Sequence, residues 1–525
     1  MQSLGSIFNH ALGPVTYGPS SSNTAGTNRI GYACRQIFGG QPSRVVIEFS
    51  QSGAFPATYR GMKSDVAFTD GLNGHLYDRD VLQDPSRQIH ESAFPVSFAI
   101  VPDVFSPCIE AARFRIFDDV GREVTILADS VGGGDIRIHR IDGQSISVNG
   151  LYPEALVLLK ELSSGARADL TTALGMIGSL SVVAEADGSV VQVRAPHGFS
   201  SALRGQLEGL VREHDPQAAV RYLEAVYPVA AVNESLFDNM VGTSAYCAEH
   251  GVSLGEAAIR YEQHVSGRSR EEVEAYALKL LSLMRSAVQL GLETDDPIDG
   301  VVGRHASTFL ETARNRMDLG FLTLGMAYAQ AVMEHSNTGK VIVCAPTGGA
   351  TGILPATLVG YADQYQVSDA DLVKPLMAAG LLGILMTRFG NTFNGTDLGC
   401  QVEVGCAAAM SAAALTELLD GLPAQAFNAA AIAMQCNMGI VCDPVGGLVQ
   451  APCIQRNANG VGTATTSALM AVTGFDPVIP FDESFEAAVQ LGKDFPPSMK
   501  GSSCAGLCGT PTAQRITLQL SAPKT

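Results

Sequence analysis

The chain has 525 residues, more than one hydrophobic core usually serves, so two or three domains are expected. Apolar residues make up 46% and charged residues 16%, which excludes intrinsic disorder. The formal net charge of −18 argues against a nucleic-acid or anionic-membrane binder.

The opening MQSLGSIFNHALGPV lacks a basic, uninterruptedly apolar leader, and no long uncharged apolar run suits a membrane span. A cytoplasmic protein is therefore expected. The first motif is Gly18-Pro-Ser-Ser-Ser-Asn-Thr24, where Ser20, Ser21, Ser22, Asn23 and Thr24 stand at a helix start. Clustered hydroxyls, free N–H groups and the helix dipole suit an anion, although Ser and Asn are also ordinary capping residues. Alternating runs at 44–50, 96–102, 123–129 and 135–142 read as strands between Gly/Ser/Pro turns, so residues 1–150 are expected to form a small α/β domain.

Residues 151–230 read as a mixed connector, with a hairpin turning at Asp187-Gly188 and a helix over ALRGQLEGLVREH. From 231 to 525 the period becomes helical. AAIRYEQHV and EEVEAYALKLLSLMRSAV show three- and four-residue spacing, and three Ala-rich stretches are nearly uncharged, as central helices of a bundle would be. The fold class expected is multidomain α+β: an α/β domain, a mixed connector and an all-helical domain.

The loops between those helices carry the chemistry. Ala345-Pro-Thr-Gly-Gly-Ala-Thr-Gly runs from a strand-like VIVCA towards a helix, and Thr347, Gly348 and Gly349 suit a carboxylate or phosphate. It matches neither a Walker loop nor a dinucleotide fingerprint. Eight of the eleven cysteines lie from Cys344 onward. Disulfides are not expected in a reducing compartment, and the clustering favours a metal or iron–sulfur centre. Cys400 in GCQVEVG, and Cys442 and Cys453 in CDPVGGLVQAPCIQRN, stand at loop–helix junctions. Three thiolates suit a [4Fe–4S] cluster with one iron left open, whereas structural zinc favours closely paired cysteines. Spacing alone forms no generic motif here.

With these motifs the chain resembles the iron–sulfur L-serine dehydratase (L-serine ammonia-lyase) family, in the single-chain form with its β part fused ahead of its α part. GPSSSNTAG and SVGGG are similar to β-part loops; APTGGATGILPA, GCQVEVG and CDPVGGLVQAPCIQRN are similar to the α-part signatures. The resemblance implies a [4Fe–4S] cluster on Cys400, Cys442 and Cys453, with the open iron acting on the hydroxyl of L-serine to give pyruvate and ammonia. It implies a small amino- or hydroxy-acid substrate, no nucleic-acid or membrane partner, and a homodimer. Ser20–Thr24, Thr347–Gly349 and Arg456 are the expected substrate clamps, and Glu403 the base or ammonium ligand. Cys504 or Cys508 is an expected cap on the open iron.

The chain departs from the family in its tail, Ser498-MKGSSCAGLCGTPT-Ala513, and at two imidazoles. Asn23 replaces the His of Ser-Ser-Ser-His-Thr, and Gly61-Met-Lys-Ser-Asp65 stands where many members have Gly-His-Gly-Thr-Asp. Lys63 and His335 are the remaining candidates for a base. These losses favour a second reading, the same cluster acting on another β-substituted acid, such as L-cysteine desulfidation; a rival of another class is a non-catalytic iron–sulfur sensor.

Overall fold

The computed structural model describes residues 4–89, 91–160, 164–183, 189–390, 393–501 and 505–521. They form two units: residues 25–232, and residues 1–24 together with 233–525. The expected boundary at 150 falls inside the first unit, between its two sheets, and the opening segment folds with the helices.

In the α/β unit, a six-stranded sheet has the order Val96–Val101, Arg44–Ser50, Ala111–Phe117, Glu123–Gly132, Asp135–Ile141, Gln144–Val148. The first pair is parallel and the others antiparallel. Alternating Val45, Ile47 and Phe49 point into a core shared with Phe114, Ile126 and the helices Thr27–Phe38 and Ser64–Leu72. A second, four-stranded antiparallel sheet is made by Ala219–Leu223, Glu154–Leu158, Val190–Arg194 and Ser181–Val183. The helices Ser164–Gly175 and Ser201–His214 supply Leu170, Leu174, Leu203 and Leu207 to its core. The turn expected at Asp187-Gly188 lies outside the described residues; the strands around it do pair.

This unit buries Arg29 completely. Its guanidinium donates to both oxygens of Asp78 at 2.9 and 3.0 Å and to Gly134 O at 2.7 Å, with its carbon 4.2 Å from the centre of the Tyr227 ring.

The helical unit holds Leu254–Ser266, Arg270–Glu293, Phe321–Asn337, Ile353–Tyr365, Val373–Met386, Val404–Leu418, Pro423–Asn437 and Cys453–Val472 among its helices. A Ser269 capping box with Glu272 starts the longest of them. The 373–386 and 404–418 helices are buried almost all round, because alanine and glycine let neighbouring backbones approach. Among the described residues, no helix is long and apolar enough to cross a membrane.

Two links tie the opening segment to this unit. Val15–Tyr17 pairs antiparallel with Val341–Val343. The fully buried Glu262 accepts from Ser6 Oγ at 2.6 Å and Ile7 N at 2.8 Å, at the start of a one-turn helix. Burial pushes this carboxyl up to about 7.

Candidate active site

Four loops of the helical unit carry the candidate residues. The Ser20–Thr24 turn is closed by Thr24 N and Thr24 Oγ1, which donate to Ser20 O at 2.8 and 2.7 Å. Asn23, in the position of the missing imidazole, turns its amide back onto Ser20 Oγ and Ser22 Oγ, each at 3.3 Å. The Gly348 N–H donates to Ser21 Oγ at 3.3 Å, and a Cβ on Gly348 would stand 2.7 Å from Ser21 N. Only glycine lets these two turns lie against one another.

The glycine-rich turn is held in turn by Asn457. Its Nδ2 donates to Gly349 O at 2.8 Å and Cys453 O at 2.9 Å, while its Oδ1 accepts from Gly352 N at 2.9 Å. Thr347 is buried beside Glu403, and its Oγ1 forms no well-aligned hydrogen bond. Glu403 Oε1 is 3.2 Å from where a Cβ on Gly349 would be, and Oε2 crowds Gly395.

Gln401 fixes the third loop. Gln401 N donates to Ile440 O at 3.0 Å and its Oε1 accepts from Gly439 N at 2.9 Å, so the Cys400 turn is laid along the segment leading into Cys442. The fourth loop, between Cys442 and Cys453, is closed by Val445 N to Ala451 O at 2.8 Å. Gln450 anchors it to the 299–302 segment through Asp299 O, Val301 N and Val302 N at 2.8 to 3.1 Å.

These anchors bring Cys400, Cys442 and Cys453 into one electrostatic neighbourhood. The Cys442 thiol is pushed well up by its hydrogen bond to Cys400, by burial, and by the charges of Cys400, Glu403 and Cys453. Burial, Cys400 and Glu403 raise Cys453, against the pull of Arg456. Burial likewise raises Glu403, partly offset by Thr347, Cys400 and Arg456. For Arg456, burial is outweighed by Cys400, Asp443 and Cys453, so it stays firmly cationic. Cys400, Cys453 and Glu403 around one guanidinium, with Cys442 hydrogen-bonded to Cys400, would carry excess negative charge on ionisation, which a cation would neutralise.

Among the described residues, no three His, Cys, Asp or Glu side chains are grouped so as to hold a single metal ion. A cubane cluster asks for something different, since each thiolate takes its own iron. Cys400 is buried, Cys442 and Cys453 are half-buried, and Cys453 opens the 453–472 helix, whose N-terminal dipole favours a thiolate. The sulfur-only donor set suits such a cluster.

His335 is buried in the last turn of the 321–337 helix, beside the Val341 backbone, Lys340 and Arg304; burial pulls its imidazole down to about 4, so it is neutral near pH 7. Lys63 belongs to the α/β unit, exposed, with φ 64°, just before the 64–72 helix. Arg456 donates to Val441 O at 3.1 Å and Asp443 Oδ1 at 2.9 Å. Cys508 is buried and its thiol donates to Pro444 O at 3.0 Å; Cys504 lies outside the described residues.

The amides Gln401, Gln450 and Asn457 escape the sequence analysis. Each flanks a cysteine, and Asn457 is four residues past Cys453, hence on the same helix face, which is the signal that identifies it.

Residues 249–508 match the family described as serine dehydratase alpha chain. The probable L-serine dehydratase alpha chain of Bacillus subtilis (strain 168) is 31% identical over 283 residues, covering 54% of this chain and 94% of its own. The L-serine dehydratase alpha chain of Peptoniphilus asaccharolyticus is 34% identical over 276 residues, 51% of this chain and 93% of its own. L-serine dehydratase 1 of Escherichia coli (strain K12) is 34% identical over 304 residues, 56% of this chain and 64% of its own. The family match lies wholly within the helical unit and includes all three cysteines.

Proposed function

Since the chain belongs to the L-serine dehydratase family, we propose that it is a lyase converting L-serine to pyruvate and ammonia, with a [4Fe–4S] cluster held by Cys400, Cys442 and Cys453. The observation that carries this reading is the grouping of those thiols with Glu403 and Arg456. When bound, such a cluster supplies a Lewis acid that stabilises the departing hydroxide.

The rest of the reaction falls to the chain. Arg456 uses only part of its five-donor fork on Val441 and Asp443, which leaves N–H groups for the substrate carboxylate. The Ser20–Thr24 and Thr347–Gly349 turns, pressed together, offer hydroxyls and backbone N–H groups to the same anion. Glu403 takes the α-proton as a carboxylate and holds it on an oxygen facing the Gly349 turn. Lys63 and His335 have no part in this assignment. Loss of the α-proton and hydroxide leaves aminoacrylate, which tautomerises to the imine and hydrolyses to pyruvate and ammonia.

The test is anaerobic reconstitution with iron and sulfide, an iron count, and assay of pyruvate and ammonia from L-serine. Four irons per chain with turnover support the reading. A loaded protein that releases sulfide from L-cysteine and leaves L-serine untouched transfers the assignment to desulfidation. A loaded protein turning over neither is a sensor.

A further inference from the structure

The C-terminal segment meets the Cys442 loop at three consecutive positions. The backbone of Cys442 forms an isolated parallel bridge with Lys500. Asp443 Oδ2 accepts from Leu507 N at 2.9 Å, and Pro444 O accepts from Cys508 Sγ at 3.0 Å. Beyond them the Pro511–Ser521 helix lies along the turn at Val445–Gly447, close enough that a Cβ on Gly446 would stand 2.6 Å from Leu520. Most of that helix is exposed, with Leu518 73% open to solvent.

Asp443 joins this contact to the site. It is buried, and its two oxygens are divided: Oδ2 takes the Leu507 N–H, and Oδ1 takes Arg456 Nη2 at 2.9 Å. Arg456 Nη1 reaches back to Val441 O, on the other side of Cys442. The chain of bonds Leu507–Asp443–Arg456–Val441 thus brackets one cysteine. A carboxylate suits the junction because it accepts on both oxygens and balances the guanidinium in a buried place.

We infer that Asp443 is a positioning residue through which the docked C-terminal segment aims Arg456 and steadies the loop bearing Cys442. This rests on the cluster reading above. Outer partners of metal ligands commonly change metal retention about 10- to 100-fold.

Leu507→Pro isolates the bond, since proline deletes the N–H and leaves Asp443 untouched. Leu507→Ala keeps the N–H and serves as its control. With the full-length, anaerobically reconstituted protein, Asp443→Asn and Leu507→Pro are each expected to release iron to a chelator about tenfold faster than wild type. Each should also shift the EPR spectrum of the reduced cluster. Asp443→Asn should raise KM for L-serine more than it lowers kcat, because Arg456 loses its aim. The double variant should release iron no faster than Asp443→Asn alone, since both act through one junction.

Wild-type iron release with an unchanged spectrum in Leu507→Pro overturns the inference, as do multiplying effects in the double variant or a Leu507→Ala that behaves like the proline. If Asp443→Asn does not fold, the two Leu507 variants decide. Limited proteolysis of the cluster-free protein tests the tether separately: Leu507→Pro should be cut after residue 500 faster than Leu507→Ala, and equal cutting sinks the proposal. Failure of the wild type to take up iron counts against the cluster reading, and the proteolysis result still stands.

Discussion

In the α/β unit several buried acids meet bases: Asp78 holds Arg29, Asp70 takes a two-pronged contact from Arg87, and Glu154 receives Arg194 and Gln192. In the helical unit, by contrast, Cys400, Cys453 and Glu403 share Arg456, itself already committed to Asp443, while Cys442 is hydrogen-bonded to Cys400. Balanced burial is what stability requires. Where several buried groups would carry like charge on ionisation, a bound cation can balance them, and this contrast marks the cysteine cluster as the proposed site.

The sharpest way to break the comparison is Cys442→Ala. It should abolish iron retention and serine turnover while leaving the urea midpoint of the α/β unit in place; a fully active variant removes the site. Next, Asp78→Asn should cost about 3–5 kcal/mol in urea unfolding, because it strands a buried guanidinium. The paired change Arg29→Met with Asp78→Leu should recover much of that, as it would for a scaffold pair.

Glu262 offers a test by pH. Its carboxyl lies at about 7 in the fold and in the ordinary range near 4.5 when unfolded, so the unfolded chain gives up its proton first. Its contribution is therefore full below pH 4.5 and lost as pH rises to about 7, a change of about 3 kcal/mol. The pH dependence of stability should flatten in Glu262→Gln, measured as the difference from wild type. Asn457→Ala comes after this, at about 1–3 kcal/mol, since it leaves the Gly352 N–H and the Gly349 and Cys453 carbonyls without their partner. Its kcat should fall more than its stability suggests. Last, Lys63→Met, on an exposed side chain of the scaffold unit, should change stability by less than about 0.5 kcal/mol and leave turnover intact.

The sequence reveals the parts that depend on local period. Val45, Ile47 and Phe49 alternate because one face of their strand is buried, and the Ala-rich 404–418 stretch is apolar all round because its helix is enclosed. The cysteine group is legible only through resemblance to a family, since Cys400 reaches Cys442 by way of Gln401 and backbone bonds that no spacing encodes. His335 stands near the glycine-rich loop along the chain, yet its place in the last helical turn sets it beside Lys340 and Arg304. The fold of residues 4–24 with the distant helices rests on Glu262 and on the pairing of Val15–Tyr17 with Val341–Val343, non-local contacts invisible to periodicity.

That last pairing bears on biosynthesis. Tyr17 emerges from the ribosome long before Val341 is translated, and the whole of residues 25–232 is made in between. The scaffold can therefore finish folding while the stretch bearing Ser20–Thr24 is still an unpaired edge awaiting its neighbour. The pocket proposed for the substrate carboxylate is consequently among the last features to be completed, and nascent chains stalled before residue 340 should have a finished α/β unit and no lyase activity.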